Sequence, residues 1–216
     1  MNTKKSLLIY ALSLHLCDLC NGASIVLDDY TSGAFSISNA TPISDNSTIV
    51  SPLSNNRWVR GAGSINWSSS VDAALGSLSY TLTLPRGDAP SPSTLLDITY
   101  SSTSENLNLF GYNAFVLNVS EVSGIGIVYA FEGVSSTLSG VVSVAFNGSG
   151  DLVIPFENMN AVNTVNPSAV TFRIVPQSAD FSVTLSNITV IPEPSVALLA
   201  MLSASSFLVR RRPRIT

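Results

Sequence analysis

Polar and apolar residues alternate with a period of two through much of the chain's interior. Leu78, Tyr80, Leu82 and Leu84 alternate with Ser77, Ser79, Thr81 and Thr83. Phe115, Leu117 and Val119 alternate with Val116, Asn118 and Ser120, and Ile125, Ile127, Tyr129 and Phe131 share one parity in the next run. Val142, Val144 and Phe146 precede the turn sequence Asn147-Gly148-Ser149-Gly150-Asp151, and Val170, Phe172 and Ile174 repeat the pattern farther on. Successive side chains of a strand point to opposite sides, so each run predicts a strand with one buried and one wet face. A last strand begins at Phe181, Val183 and Leu185; its phase slips at Ser186-Asn187 before Ile188 and Val190, which predicts a β-bulge. No internal stretch carries a helical period. Roughly ten short strands separated by turn residues predict an all-β fold, an antiparallel jelly-roll β-sandwich. Leu82, Phe115, Ile127, Phe146, Phe172 and Val183 are expected in one core.

The two ends depart from this pattern. Lys4 and Lys5 precede an apolar run from Leu7 to Leu16 and the small residues Gly22, Ala23 and Ser24, which predicts a secretory signal peptide over residues 1–23, removed by signal peptidase. At the other end Pro192-Glu193-Pro194 leads into fifteen uncharged residues, 195–209, followed by Arg210, Arg211, Arg212 and Arg214. As a helix that run would reach about 22 Å at ~1.5 Å per residue, short of the ~30 Å hydrocarbon core of a bilayer. The arginine cluster marks the cytoplasmic side. The two prolines bias the chain before them towards extended structure. The end therefore predicts a weak stop-transfer segment, held transiently in the inner membrane as a short hydrophobic helix, with Pro-Glu-Pro accessible outside it.

In the order of its three parts (Ile191-Pro192-Glu193-Pro194-Ser195, a short apolar helix, then Arg210-Arg211-Arg212) this tail resembles the PEP-CTERM sorting signal of Gram-negative bacteria. The resemblance implies an exosortase substrate, with Pro192, Glu193, Pro194, Arg210, Arg211 and Arg212 as the sorting motif and a final location at the cell surface or outside the cell. The chain thus divides into residues 1–23, a body of 24–190, and a sorting signal of 191–216.

Setting the ends aside changes the chemistry that remains. Cys17, Cys20, His15 and both lysines lie in residues 1–23, so the body holds no Cys, His or Lys. A Ser-His-Asp or Cys-His site, a His/Cys zinc site and a Schiff-base lysine are all excluded there. The body has four arginines against twelve Asp and Glu, a formal charge of −8, where the whole chain has −4. Such a surface lacks the basic patch that neutralises phosphates, which argues against nucleic acid as a partner. Nothing in the spacing of the carboxylates singles out a pair of the glycosidase kind, so the body is expected to be non-catalytic.

Parts of the body resemble the galactose-binding-domain-like jelly rolls found among carbohydrate-binding modules. Ile25-Val26-Leu27-Asp28-Asp29-Tyr30 is similar to their first strand, and Leu109-Phe110-Gly111-Tyr112-Asn113-Ala114-Phe115 to their central turn into a strand; Val153-Ile154-Pro155-Phe156 and residues 181–190 follow in order. The resemblance implies a structural calcium near the chain ends. Asp28 and Asp29 are its candidate ligands, although Ser186 stands where such modules often carry Asp. A sugar-binding face needs flat aromatics for stacking and polar groups for the hydroxyls. Trp58 and Trp67, with Arg57 and Arg60 beside them, are the candidates, and at least one tryptophan is expected to pack in the core. Two functions follow. The favoured one is an exported, non-catalytic structural or adhesive component of the cell surface or extracellular matrix. The alternative is a carbohydrate-binding module recognising an extracellular glycan or polysaccharide.

Overall fold

The computed structural model describes residues 23–39, 44–63, 66–84, 88–91, 93–102, 107–132, 142–156 and 167–192. In chain order its strands are β1 (Ile25–Asp28), β2 (Phe35–Ser38), β3 (Ser44–Thr48), β4 (Asn56–Ala62), β5 (Trp67–Asp72), β6 (Ser77–Thr83) and β7 (Leu95–Ser101). They continue with β8 (Tyr112–Ser123), β9 (Gly126–Glu132), β10 (Val142–Phe146), β11 (Gly150–Pro155), β12 (Ala169–Pro176) and β13 (Asp180–Pro192). One sheet has seven strands, in the order β11-β8-β13-β6-β5-β2 with β1 paired to β13; the other has six, in the order β10-β9-β12-β7-β4-β3. The fold is an antiparallel jelly-roll sandwich, and Ser24–Ile191 forms one compact unit. Residues 1–22 of the expected signal peptide, and the sorting signal beyond Pro192, lie outside the described residues.

The alternation in β6, β8 and β13 buries one side of each strand between the sheets, while β12 is buried at every position. Leu82, Phe115, Phe146, Phe172 and Val183 all join one buried cluster. Aromatic rings lock the layers edge to face. Phe115 of β8 meets Phe172 of β12 at 5.1 Å between centroids, and Phe146 of β10 meets Phe181 of β13 at 5.9 Å. Such pairs add about 0.5–1.5 kcal/mol beyond the area they bury.

Ile127 is a correction. β9 turns Gly126, Val128 and Ala130 inward and leaves Ile127 half-buried on the other side, with Ile125 49% exposed. The physical reason is local crowding: a Cβ on Gly126 would lie 2.7 Å from the Phe146 ring and 2.8 Å from that of Phe181. Those rings already fill the core at this point, so only the small side chains of β9 fit beneath them. Trp67 uses the same device. It is buried in β5 and reaches the opposite sheet at Gly61 of β4, where a Cβ would stand 2.1 Å from the indole.

The phase slip expected near Ser186-Asn187 is present. Leu185 and Ile188 are both buried with two half-buried residues between them. There β13 changes partner: its register with β6 runs to Leu185 opposite Leu78, and β1 takes over from Ile188. The irregularity in the pairing itself falls on β1, between Val26 and Asp28.

Candidate functional site

β4 separates the sequence candidates by parity. Arg57, Val59 and Gly61 face the core, whereas Trp58 is half-buried and Arg60 exposed on the outward side. Trp67 belongs to the core, so the two tryptophans have different roles. Arg57 is fully buried and is thereby removed from any ligand surface.

The Arg57 guanidinium is held by the turn after β1. Nη1 donates to Asp28 Oδ2 at 2.6 Å, and Nη2 donates to the carbonyls of Ser32, at 3.0 Å, and Gly33. Its Cζ stands 5.5 Å from the Tyr30 ring centroid and 5.6 Å from that of Phe35. Asp28 Oδ2 also accepts from the Tyr100 hydroxyl at 2.9 Å, and Oδ1 from the Tyr30 backbone N–H at 2.8 Å. That last bond closes a short Asp turn and helps hold Tyr30 at φ 57°, a left-handed conformation rare for a bulky residue. Burial first, and then the Asp28 carboxylate, push the Tyr30 phenol well above its usual range. Burial also raises Tyr100, so its hydroxyl stays protonated as a donor. A buried charge persists only with a partner, and here each has one: the cluster ties β1 in one sheet to β4 and β7 in the other.

Asp29 faces solvent, where its carboxylate accepts from the Thr31 hydroxyl at 2.7 Å and backbone at 3.0 Å. The Thr31 hydroxyl bond first, and the backbone bond next, lower its pKa below the ordinary Asp value. Asp28 and Asp29 therefore engage different partners in different surroundings, and they do not fit a calcium ion, which needs several oxygens converging on one point. Among the described residues no three His, Cys, Asp or Glu gather in a metal-binding group.

The outward side of the six-stranded sheet carries a different set. Asn46, Trp58, Thr99, Thr171 and Phe131 lie in register across β3, β4, β7, β12 and β9. The adjacent row reads Ser44, Arg60, Asp97, Arg173 and Tyr129. With neighbouring strands ~4.8 Å apart, each row crosses roughly 19 Å of sheet. The centre is fixed: Arg173 Nε and Nη2 donate to the two Asp97 oxygens at 2.6 and 2.8 Å, and the Thr99 and Thr171 hydroxyls bond at 2.8 Å. The Arg173 guanidinium also lies 5.3 Å from the Phe131 ring centroid. Its bonding to Asp97, opposed by burial, raises the Arg173 pKa further, so the guanidinium stays charged. Trp58 and Arg60 flank this centre on one side and half-buried Tyr129 on the other. Beside Tyr129 and Arg173, a cleft of about 340 Å³ is completed by Pro90, Leu95, Val175, Pro176 and Gln177.

These central groups are buried and bonded to one another, so the face offers a ligand with apolar faces and a hydroxyl rim the half-buried Trp58 and Tyr129 and the exposed Asn46 and Arg60. Asp97 has both oxygens engaged by Arg173 and is not free to transfer protons. Among the described residues, the strands β2, β5, β6 and β13 of the seven-stranded sheet turn small hydroxyl side chains outward. There Ser36, Ser70, Ser79 and Thr184 line up in register, as do Ser38, Ser68, Thr81 and Ser182.

Of the sequence candidates, only Trp58 and Arg60 meet on this face. Tyr129, Asp97, Thr99, Thr171 and Arg173 were not anticipated. The available signal was Asp97 and Arg173 interrupting the apolar runs Leu95-Leu96-Asp97-Ile98 and Thr171-Phe172-Arg173-Ile174 at the parity opposite the core residues.

No family model matches the chain, and the search of curated proteins found no match. Among solved structures, the chain is similar to the family 11 carbohydrate-binding module of the cellulosomal cellulase Lic26A-Cel5E of Clostridium thermocellum, at 16% identity and TM-score 0.39, covering 79% of this chain and 95% of that one. The same module in complex with a β-1,3-1,4-mixed-linked tetrasaccharide matches at 15% identity and TM-score 0.36, over 78% and 95%. A low-affinity xylan-binding module, CBM86, from Roseburia intestinalis matches at 14% identity and TM-score 0.32, over 80% and 97%.

Proposed function

We propose that the chain is an exported, non-catalytic glycan-binding sandwich whose site is the outward side of the six-stranded sheet. One observation carries this reading: Arg60 and Tyr129 stand at either side of the Asp97–Arg173 pair in one cross-strand row, with half-buried Trp58 in the adjacent row of the same face. A purely structural or adhesive role does not call for that arrangement, whereas a sugar chain laid across the strands would stack on Trp58 and Tyr129 and meet Arg60 and Asn46, over a buried, internally bonded centre. A glycan-array screen of the purified protein tests the reading. Saturable binding to a defined glycan is expected, weakened about tenfold or more by Trp58→Ala, which corresponds to ~1.4 kcal/mol of lost stacking. Uniform or absent binding on the array would return the protein to the structural role.

Export rests on the two terminal signals. Protein recovered from the cell surface or medium is expected to start near Ala23 or Ser24 and to lack the arginine tail. Its intact mass decides the point: an extracellular species still ending in Arg214-Ile215-Thr216 overturns exosortase processing.

A further inference from the structure

We infer that the glycan bound on this face is acidic, a uronate-bearing polysaccharide, and that Arg60 is the group that recognises its carboxylate. The inference rests on the glycan-binding reading above and deepens it. The body is strongly acidic, at −8, yet three of its four arginines fall in two strands of the six-stranded sheet. Two of the three are spent within the protein. Arg57 faces the core and is neutralised by Asp28, and Arg173 is held through two bonds by Asp97. Arg60 is different: it is exposed, and among the described residues it has no ion pair or hydrogen bond. Its neighbour across β7 is Asp97, whose two oxygens already accept from Arg173.

The two rows of the face therefore hold one uncompensated charge, a guanidinium, two residues along the strand from the Trp58 platform. Neutral sugar hydroxyls are satisfied by an exposed amide such as that of Asn46, and they do not require a full cation. A carboxylate does, and the planar guanidinium matches it with two parallel hydrogen bonds. The acidic remainder of the body repels a polyanion, which confines such a ligand to this face and makes its binding sensitive to salt.

The test compares a polyuronate with the same polymer after reduction of its carboxyl groups, by titration calorimetry at low and high salt. The unmodified protein is expected to prefer the polyuronate about tenfold or more, and to lose most of that preference in high salt. Arg60→Gln, on an exposed side chain with no ion pair or hydrogen bond among the described residues, is expected to keep its melting temperature and to bind both polymers equally. Arg60→Lys should retain part of the preference, because it keeps the charge and loses the fork. Equal affinity of the unmodified protein for both polymers overturns the acidic specificity and leaves the glycan face standing. Failure to bind either polymer, together with an empty glycan array, overturns both.

Discussion

Asp28→Ala is expected to destabilise the protein by about 3–5 kcal/mol, a large fraction of the total stability of an ordinary domain. The loss arises less from the missing attraction than from what remains. Arg57 is fully buried, and without Asp28 its charge is offset by no anion, only by the carbonyls of Ser32 and Gly33 and the rings of Tyr30 and Phe35 among the described residues. Tyr100 loses its acceptor at the same time, and the Tyr30 turn loses the bond that holds its left-handed backbone. Removing both charges together, as in Asp28→Leu with Arg57→Met, is expected to recover most of the stability, because an apolar pair of similar size carries no desolvation cost. Tyr100→Phe should cost less, about 1–3 kcal/mol, since it removes one donor and leaves the ion pair. Urea midpoints of the single and double variants decide the matter. If the two single losses simply add in the double variant, the residues do not act as a pair.

This cluster is also the part of the fold least legible in the sequence. The strands themselves are readable because Ser and Thr alternate with Leu and Tyr throughout β6 and with Phe, Val and Leu in β13 up to its phase slip, while buried and outward residues alternate from Phe115 to Val119 in β8. Arg57 was misread because its partner is 29 positions away, and a charged residue beside two tryptophans suggests a surface. Asp28 was misread for a related reason: the pairing of β1 is irregular between Val26 and Asp28, so parity does not say which way Asp28 points.

The binding face was half legible. Trp58 and Arg60 lie on it, but Tyr129 shares the parity of Ile127, which the sequence places in the core, and both are half-buried on the outer side while Val128 and Ala130 turn inward. Parity does not say which side turns inward where the opposite sheet supplies the bulk. The rings of Phe146 and Phe181 over Gly126 show why β9 presents small residues inward. Asp97 and Arg173 are 76 positions apart, and only the register of β7 against β12 brings them together. Long-range pairing of this kind leaves no local pattern in the chain.

Phe172→Ala is expected to cost about 3–5 kcal/mol, through lost transfer free energy and a cavity that rigid neighbours cannot close. Phe172 is fully buried in β12 and packs edge to face on Phe115 of the opposite sheet at 5.1 Å and on Tyr100 of its own sheet at 6.1 Å. Phe115 in turn packs on Phe156 at 4.7 Å, so the ring sits in a chain of aromatics and not against side chains that can swing into the gap. Ile127→Ala provides the contrast on the neighbouring strand. Its side chain lies on the outward face, and the substitution should cost about 1 kcal/mol or less. Denaturant midpoints at unchanged slope measure both. A small loss for Phe172→Ala with a large one for Ile127→Ala would mean that the six-stranded sheet turns its other side to the core. Trp58, Arg60 and Tyr129 would then face inward, and the proposed glycan face would not exist.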